Sequence, residues 1–426
     1  MNNNYKNETK CLHSGYEGEN GEPRALPIIQ STTFKYDSSE DMADLFDLKT
    51  SGYFYSRLSN PTNDRVAAKI ADLEGGIGAV LTSSGQAASF YSIFNICQSG
   101  DHVVSSSSIY GGTFNLFAVT MKKMGIEFTF VSPEATEEEL NNAFKENTKA
   151  VFAETLSNPA LKVLDIEKFA KVAHDHKVPL IVDNTFPTPI LCKPINFGAD
   201  IVIHSTTKYM DGHGLCVGGV IVDSGKFDWE SSGKFPCLTQ PDESYHGLIY
   251  TKTFKNAAYI TKIVSQLMRD LGSIPSPQNS FLLNIGLETL HLRIQRHYEN
   301  ALDLAKFLET QDKIEWIRCP ALKNDENYSL AQKYLSGKSC GVLSFGIKGG
   351  KEKAVEFINN LNLIAIATHV ADAKSCVLHP ASSTHRQLTD KQLEDAGIPN
   401  NLIRLSVGIE SIDDIIFDVK QALDKI

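Results

Sequence analysis

The sequence predicts an α/β protein with a large domain on a mostly parallel sheet and a smaller α+β domain at its C-terminal end. Three observations support this. The chain has 426 residues, which is enough for two or three domains. Between residues 79 and 208 short apolar runs alternate with helical patterns, and such repeated strand–helix units form parallel sheets covered on both faces. After residue 290 the predicted order is helix, strand, helix, strand, helix, as in an α+β arrangement.

Composition and charge exclude several classes of function. Hydrophobic residues make up 42% of the chain and charged residues 22%, as in an ordinary globular protein. The formal net charge of −10, without a cluster of Lys and Arg, argues against a nucleic-acid partner. No apolar run is long enough to span a membrane, and residues 1–6 lack the core of a signal peptide. We therefore expect a cytoplasmic protein without a membrane partner.

The cysteines and histidines predict no metal site. The eight cysteines are scattered and include no C-x-x-C pair, so zinc-finger spacing is absent. A disulfide framework is uncommon in a chain of this size, and we predict reduced thiols. Asp372, His379 and His385 could gather at a metal, but solvated loop histidines are the commoner case.

Residues 1–60 are predicted to form an N-terminal arm that contacts a neighbouring subunit. They show little periodicity and many turn formers, and an arm of this kind rarely folds alone. The arm contains Tyr53–Arg57, which is also compatible with a plain loop held by aromatic side chains. The large domain, residues 61–290, begins with a helix that has Pro61 near its first position. The apolar residues of this helix recur at Val66, Ile70 and Leu73.

The first predicted strand ends in a turn of small residues that can bind an anion. Ala79–Thr82 is followed by Ser83–Gln86 and then by a helical pattern. Such a turn leaves unpaired backbone N–H groups at the helix N-terminus. Any tight turn between a strand and a helix also favours Gly and Ser, so both interpretations stand.

The alternation continues to residue 176. Further strands are predicted over 101–105, 126–131 and 150–154. Further helices are predicted over 110–124, 137–144 and 165–176, the last with Asp165 as its N-cap.

The most informative part of the chain is 178–208. The apolar runs Val178–Val182 and Ala199–Ile203 end in Asp183 and in His204–Lys208, respectively. Buried parallel strands have this appearance, and they deliver the residues that follow them to one edge of the sheet. Open α/β sheets bind ligands at that edge.

These residue types suit one cofactor in particular. The amine of Lys208 can form a Schiff base with an aldehyde, and Asp183 can pair with a protonated pyridine nitrogen. The hydroxyls of Ser205 and Thr207 can hold a phosphate. Together they describe pyridoxal 5′-phosphate (PLP). Asp, Ser and Thr are also common helix caps, and a single Lys is usually a solvated charge, so this stretch alone leaves both interpretations open.

Four chemically useful residues fall just past predicted strand ends on the same side of the sheet: Tyr110, Asn158, Asp183 and Lys208. Four such residues at one edge carry more weight than any one of them, and they favour the cofactor site.

The remainder of the chain predicts a connection and a second domain. Residues 224–250 are polar and long for a connection, which favours a functional loop or an oligomer contact. A helix over Leu282–His297 is predicted to lead into the C-terminal α+β domain, residues 291–426. That domain is predicted to contain helices near 298–308 and 353–361, strands near 341–347 and 402–407, an irregular stretch over 369–385, and a terminal helix.

Taken together, these stretches resemble the Cys/Met-metabolism family of PLP enzymes over almost the whole chain. The most specific motifs are Tyr53–Arg57, Ser83–Gln86, Tyr110–Thr113, Val182–Thr185, His204–Tyr209 and Arg404–Gly408. Several independent motifs in the right order argue against a chance match. The resemblance implies the PLP-dependent transferase fold, which is similar to that of aspartate aminotransferase.

The resemblance also implies roles for individual residues. Lys208 would form the Schiff base and move protons, Asp183 would keep the pyridine nitrogen protonated, and Tyr110 would stack on the ring. Asn158 would contact the 3-oxygen of the cofactor. The cofactor phosphate would be held by Gly85, Gln86, Ser205 and Thr207, with Tyr55 and Arg57 from a neighbouring subunit. The substrate would be bound by Arg404, Asn158 and His369. A site shared between subunits implies a homo-oligomer, and a dimer of dimers is usual in the family.

Within the family the resemblance implies γ-replacement. Residues 219–236 and the stretch 379–410 resemble those of O-acetylhomoserine sulfhydrylases, which join O-acetylhomoserine to sulfide or methanethiol and release acetate. The product would be homocysteine or methionine. Methionine and cystathionine γ-lyases are the alternative, although methionine γ-lyases typically have Cys where this chain has Gly112. His369 departs from the smaller Asn or Ser of many relatives. A non-catalytic relative is disfavoured by the complete set of site residues.

Overall fold

The computed structural model describes residues 5–384, 386 and 397–426. Seven strands form the larger sheet: β1 Gly78–Thr82, β2 His102–Ser106, β3 Glu127–Val131, β4 Thr148–Glu154, β5 Leu180–Asp183, β6 Ile201–His204 and β7 Gly219–Asp223. Their order is β1-β7-β6-β5-β4-β2-β3. All neighbours are parallel except β7, which lies antiparallel between β1 and β6. The predicted mostly parallel sheet is confirmed, and β7 is a strand that the sequence analysis did not anticipate.

Helices cover both faces of this sheet because its central strands are apolar on both sides. Val182 and Val202 pack into a core with the helices Pro61–Glu74, Ile166–Asp175 and Pro277–Glu288. Ile181 and Ile203 pack into a second core on the opposite face. The helical segments of that face are Gly85–Phe94, Gly111–Met124 and Ala258–Leu271.

The helix Pro61–Glu74 illustrates how closely local signals can predict an element. Pro61 takes the first position, and the side chain of Asn60 caps the helix by accepting from the Thr62 amide. Gly75 ends the helix with φ 83°, a left-handed conformation that glycine adopts readily. The predicted apolar residues Val66, Ile70 and Leu73 are all fully buried.

Other predicted helices differ in detail. Asp165 occupies the N-cap position of Ile166–Asp175, but its side chain caps no amide and instead accepts a hydrogen bond from the Tyr334 hydroxyl. The predicted helix over 110–124 changes its winding, from α-helical Gly111–Asn115 through a π-helical turn to a 3₁₀ turn that ends at Met124.

The smaller sheet follows in the chain. Its strands are β8 Ile314–Arg318, β9 Val342–Ile347, β10 Ala365–Ile366, β11 Cys376–Leu378 and β12 Leu402–Ser406, in the order β10-β11-β12-β9-β8. The helices Gly350–Asn359 and Ile412–Asp424 pack on it around a separate core. The predicted β9, β12 and both helices are present, whereas β8 was not anticipated and β11 lies inside the stretch predicted to be irregular.

Two helices connect the sheets where the sequence suggested a break near residue 297. Pro277–Glu288 ends at Thr289, and Leu290–Glu309 then runs without interruption for 20 residues. The first half of the long helix buries Leu290 and Ile294 in a core of the larger sheet. The second half buries Leu304 and Leu308 in the core of the smaller sheet. This helix therefore contributes to the cores of both sheets.

The connection over 224–250 is more apolar in its contacts than its composition suggested. It forms the short helices Trp229–Ser232, Pro236–Thr239 and Glu243–Tyr245. Trp229, Phe235 and Leu238 are buried against the second core of the larger sheet. Its contact with another subunit stays a prediction.

The N-terminal arm packs partly on its own chain. Its helices are Asn7–His13 and Ser39–Phe46. Cys11 is fully buried in a core of the larger sheet, and the Lys10 ammonium lies 2.7 Å from a carboxylate oxygen of Asp72. The remaining helical segments are Glu137–Asn142, Thr188–Leu191, Pro194–Phe197, Tyr250–Phe254, Lys255–Ala257, Tyr328–Tyr334 and Pro380–Ser382. Within the described residues no helix has the length and apolar character needed to cross a membrane.

Candidate active site

A cavity of about 250 Å³ opens between the two sheets, at the carboxyl ends of β4, β5 and β6. It brings together most of the residues that the sequence marked: Gly85, Gln86, Tyr110, Asn158, Asp183, Ser205, Thr207, Lys208 and Arg404. The parallel strands account for this convergence because their carboxyl ends meet at one edge.

Lys208 follows β6 and lies half-buried in the cavity. Burial lowers the pKa of Lys208 from its ordinary 10.5 to about 8, and the neighbouring Arg404 charge acts in the same direction. A lysine with such a pKa presents much more of the neutral amine near neutral pH than a solvated lysine does. The neutral amine is the form that attacks an aldehyde and accepts a proton.

Asp183 is the last residue of β5 and presents a carboxylate to the same cavity. The backbone amide and hydroxyl of Thr185 both donate to Oδ1, at 2.9 and 2.5 Å. Among the described residues no donor reaches Oδ2, so that oxygen can accept from a ligand. Burial raises the pKa of Asp183, while the Thr185 hydrogen bonds oppose the rise.

One end of the cavity can accept an anion. The side chain of Ser84 caps the helix Gly85–Phe94 by accepting from the Ala87 amide, and the N-terminus of this helix lies against Ser205. A Cβ at Gly85 would lie 2.6 Å from Ser205 Cβ and 2.9 Å from its hydroxyl oxygen. Only glycine allows so close an approach. The Thr207 hydroxyl closes the cradle through hydrogen bonds with the Gly218 backbone.

Tyr110 forms an open wall of the cavity. Its side chain is 53% exposed, and its backbone amide donates to Oε1 of Glu154 at 2.6 Å. A Cβ at Gly112 would lie 2.5 Å from Cε1 of the Tyr110 ring, so the ring occupies the space above this glycine. Next to it, the Thr113 hydroxyl donates to the Gln86 side chain at 3.0 Å. The exposed ring face suits stacking on a planar ligand.

Arg404 projects from β12 of the smaller sheet and is 6% exposed. Its Nη2 donates to the His369 carbonyl at 2.9 Å, while its Nε is buried without a partner among the described residues. Asn158 Oδ1 is likewise buried and unpaired. Burial lowers the pKa of Arg404, yet the guanidinium stays charged and can bind a carboxylate with two parallel hydrogen bonds.

His369 reaches the site through its backbone. Its neighbours Thr368 and Val370 line the cavity, and its carbonyl accepts from both Arg404 and the Cys376 thiol. The imidazole Nε2 lies 3.6 Å from an oxygen of Asp372, and burial lowers the pKa of His369. Its predicted part in substrate binding stays a prediction.

Tyr55 and Arg57 lie outside the Lys208 cavity of the same chain. The Arg57 guanidinium sits 5.1 Å above the Tyr55 ring and donates to the Arg269 carbonyl. Both residues line a separate, open cavity of about 780 Å³ next to the helix Ser39–Phe46. Their predicted contribution to a neighbouring subunit's site stays a prediction.

Among the lining residues that sequence reasoning did not mark, Glu154 has an ionisable side chain. This last residue of β4 is 9% exposed and holds the amide of Tyr110. Burial raises the pKa of Glu154 well above its ordinary value, and the charge of Asp183 adds to the rise. Glu154, like Asp183, is the last residue of an apolar strand, so the same sequence pattern could have indicated it as a residue of the site.

Metal binding finds no support in the described part of the chain, where no group of three His, Cys, Asp or Glu side chains is placed to hold an ion. His385 and residues 387–396, the first part of the stretch that resembles the sulfhydrylases, lie outside the described residues.

Comparison with known proteins agrees with this geometry. Residues 8–424 match the family described as Cys/Met metabolism PLP-dependent enzymes. The chain belongs to this family. It is therefore a PLP-dependent enzyme, as the motifs implied.

Its relatives resemble it along their full length. An O-acetyl-L-homoserine sulfhydrylase of Leptospira meyeri is 44% identical and is covered over 98% of its length by 100% of this chain. A homocysteine/cysteine synthase of Saccharomyces cerevisiae is 45% identical, with 98% of each chain covered. A crystal structure from Campylobacter jejuni, described as an O-acetylhomoserine (thiol)-lyase with a pyridoxyl phosphate group on a lysine, has a TM-score of 0.95 and 37% identity over 99% of this chain and 100% of that one.

The cavity of this PLP-dependent enzyme fits the cofactor. The cradle at Gly85 and Ser205 matches a phosphate, because a side chain at position 85 would fill it. The open Oδ2 of Asp183 matches a pyridine N–H, and the lowered pKa of Lys208 matches an amine that reacts with an aldehyde. Each chemical feature of PLP thus has a counterpart.

Proposed function

We propose that this enzyme catalyses γ-replacement on O-acetylhomoserine: sulfide or methanethiol displaces acetate, and homocysteine or methionine is formed. The observation that carries the proposal is the joint placement of Lys208, Asp183 and Arg404 in one cavity of about 250 Å³. The reaction needs a base, a residue that holds the cofactor and a cation that binds the α-carboxylate of the substrate. Support also comes from the full-length relatives, which are named sulfhydrylases and homocysteine synthases.

Lys208 performs the proton transfers in this proposal. Bound PLP supplies an electron sink that makes the substrate α-carbon acidic. The Lys208 amine takes the α-proton and then a β-proton, after which acetate leaves the γ-carbon. Sulfide adds at the γ-carbon, and Lys208 returns the protons. Its pKa of about 8 suits an amine that both accepts and donates protons near neutral pH.

The other residues hold the cofactor and the substrate in place. With the cofactor bound, Asp183 would accept the pyridine N–H and keep that nitrogen protonated, Tyr110 would cover the ring and Asn158 would contact the 3-oxygen. The phosphate would be bound by Gly85, Gln86, Ser205 and Thr207. Arg404 binds the substrate carboxylate through its unpaired Nε and a neighbouring N–H, with Asn158 and His369 close by.

We also propose that the enzyme works as a homo-oligomer, at least a dimer and in its full form a dimer of dimers. Support comes from Tyr55 and Arg57, which lie exposed at the surface and apart from the Lys208 cavity of their own chain. The division into an arm (1–60), a PLP-binding domain (61–290) and a C-terminal domain (291–426) belongs to the same proposal. A cytoplasmic location is supported by eight free cysteines, of which all but Cys237 are buried.

One assay series tests the reaction. Purified enzyme with PLP is offered sulfide together with O-acetylhomoserine, O-succinylhomoserine or O-acetylserine, and in a separate reaction methionine alone. We expect homocysteine from O-acetylhomoserine. Appreciable α-ketobutyrate from methionine, with little homocysteine from the esters, would assign the site to a γ-lyase instead. Gly112 argues against that outcome, because methionine γ-lyases typically have Cys at the corresponding position.

A further inference from the structure

The Glu154 carboxyl holds the backbone from which the Tyr110 ring projects. Glu154 is the last residue of β4 and is 9% exposed. Its Oε1 accepts the Tyr110 amide at 2.6 Å, and within the described part of the chain this amide is the only hydrogen-bond partner of the carboxyl. Both residues line the cavity that contains Lys208. One strand end of the larger sheet is thus attached directly to the residue that forms the open wall of the site.

The helix that starts at this point has no local cap. Tyr110 occupies the N-cap position of Gly111–Asn115, but its side chain caps no amide, and the first two residues of the helix are glycines. In a capping box, a Glu or Gln at the third helical position reaches back to the N-cap amide. Here the third position holds Thr113, whose hydroxyl donates to Gln86 instead. Glu154 supplies the missing acceptor from a strand 44 residues further along the chain.

The position of the Tyr110 ring depends on its backbone because the residue is 53% exposed. One edge of the ring lies against Gly112, where an added Cβ would be 2.5 Å from Cε1 and 3.0 Å from Cζ. The phenol hydroxyl has no hydrogen-bond partner among the residues that the structure describes. With so much of the ring exposed, the direction of the Cα–Cβ bond decides where the ring lies. The contact between the Tyr110 amide and Glu154 fixes the backbone at that point.

The carboxyls at the ends of β4 and β5 have separate partners. Glu154 and Asp183 are register partners in neighbouring parallel strands, so their side chains project to the same face of the sheet. Thr185 donates twice to Asp183, whereas Tyr110 donates to Glu154. A carboxyl oxygen accepts an amide N–H in either protonation state, so this contact does not depend on the charge of Glu154. The strand that carries the proposed pyridine partner therefore lies beside the strand that holds the proposed stacking residue.

We propose that Glu154 is a positioning residue that holds the Tyr110 ring in place for stacking on the pyridine ring of PLP. It acts through the backbone of Tyr110, as a helix cap supplied by β4. Without this acceptor the start of the helix loses its cap, and the exposed ring leaves the plane that stacking requires. The inference rests on the stacking role of Tyr110 in the proposed function.

The test compares Glu154→Leu, which removes the acceptor at similar volume, with Glu154→Gln, which keeps a side-chain oxygen. PLP affinity is measured by titration of the apoenzyme, and visible circular dichroism of the bound cofactor reports how its ring is held. We expect E154L to change the dichroism and to weaken PLP binding about 2- to 10-fold, the ratio expected for one aromatic stacking contact. E154Q should restore both properties to within about twofold of the wild type. Because both variants lack the carboxylate charge, an equal loss in E154Q would overturn the proposal.

A double-mutant cycle with Tyr110→Ala separates positioning from a general structural role. This variant keeps the backbone amide and removes the ring. Since Glu154 acts through that ring, E154L should cost nothing further in the Y110A background. A further loss of the same size in that background, or wild-type affinity of E154L alone, would overturn the proposal. Wild-type affinity of Y110A would remove the stacking role itself, and the inference would fall with that part of the proposed function.

Two controls exclude misfolding and a general effect of helix caps. Melting temperatures of the apoenzymes report folding, and Glu154→Ala replaces E154L in the same cycle if E154L does not fold. Glu139→Leu is the matched control, because Glu139 accepts the amide of the N-cap residue Thr136 at 2.8 Å in a helix outside the cavity. E139L should leave PLP affinity unchanged, and a loss equal to that of E154L would refute a specific role for Glu154.

Discussion

The phosphate cradle yields the sharpest prediction, the substitution Gly85→Ala. The added methyl group would lie 2.6 Å from Cβ, 2.9 Å from Oγ and 3.0 Å from Cα of Ser205. Ordinary carbon contacts are about 3.5–4.0 Å, so the helix N-terminus and the Ser205 loop must separate by about 1 Å. Such overpacking costs about 1–3 kcal/mol, or about 5- to 150-fold in an equilibrium constant. We expect PLP affinity to fall within that range, because the helix amides and the Ser205 hydroxyl can no longer grip one phosphate together.

The assay is a titration of apoenzyme with PLP, followed by absorbance or protein fluorescence, with the apoenzyme melting temperature measured in parallel. Gly78→Ala is the matched control at the start of β1, where the nearest atom to an added methyl group is Ile260 Cγ2 at 3.4 Å. We expect G78A to bind PLP within about twofold of the wild type. Wild-type affinity and stability of G85A would refute the assignment of the cradle.

Three further predictions concern the reacting groups. Lys208→Ala should abolish turnover and leave the protein folded by circular dichroism; near-normal turnover without added amine would contradict the assignment. Arg404→Lys should raise the substrate KM about 10- to 100-fold and leave PLP affinity intact, because an ammonium cannot form the two parallel hydrogen bonds that a guanidinium makes with a carboxylate. Equal losses of substrate affinity and PLP affinity would point to a structural role. Between pH 8 and 10.5 Lys208 is neutral in the folded apoenzyme, whereas the same lysine is still protonated in the unfolded chain. The free energy of unfolding should therefore rise with pH across this range, by at most about 1.4 kcal/mol per pH unit. Denaturant titrations across this pH range should show a steeper rise in the free energy of unfolding for the wild type than for Lys208→Met. The same pH dependence in both proteins would argue against the lowered pKa of Lys208.

The site residues that could be located from local pattern are those that follow parallel strands. Asp183, Lys208, Tyr110 and Asn158 were found because apolar runs predict buried strands, and the ends of parallel strands meet at one edge. Arg404 was different. It comes from the smaller sheet, 196 residues after Lys208 in the chain, and only the resemblance to a family marked it. No periodicity tells which edge of a second sheet will face the first.

Several elements escaped prediction for identifiable physical reasons. The strand β11 has only three residues and β10 only two, too few to show an alternation. The antiparallel β7 follows β6 after the segment that carries Lys208, and its apolar run was interpreted only as part of the stretch 219–236 that resembles the sulfhydrylases. The hydrogen bond between the buried side chains of Glu74 and His204 joins residues 130 positions apart, and each of them alone has the look of a surface polar residue.

The antiparallel strand β7 also explains the close packing at the edge of the larger sheet that faces the cavity. The other strands of the larger sheet direct their carboxyl ends toward the side of the sheet where the cavity lies, whereas β7 places its amino end between the turns after β1 and β6. A Cβ at Gly219 would lie 2.3 Å from the Ser84 carbonyl, and one at Gly218 would lie 2.5 Å from the Thr206 hydroxyl. The two glycines let the backbone of β7 pass between the anion-binding turn and the lysine-bearing turn. The Gly218 amide, directly before β7, donates to the Thr207 hydroxyl at 3.0 Å and so ties the start of this strand to the segment between Ser205 and Lys208.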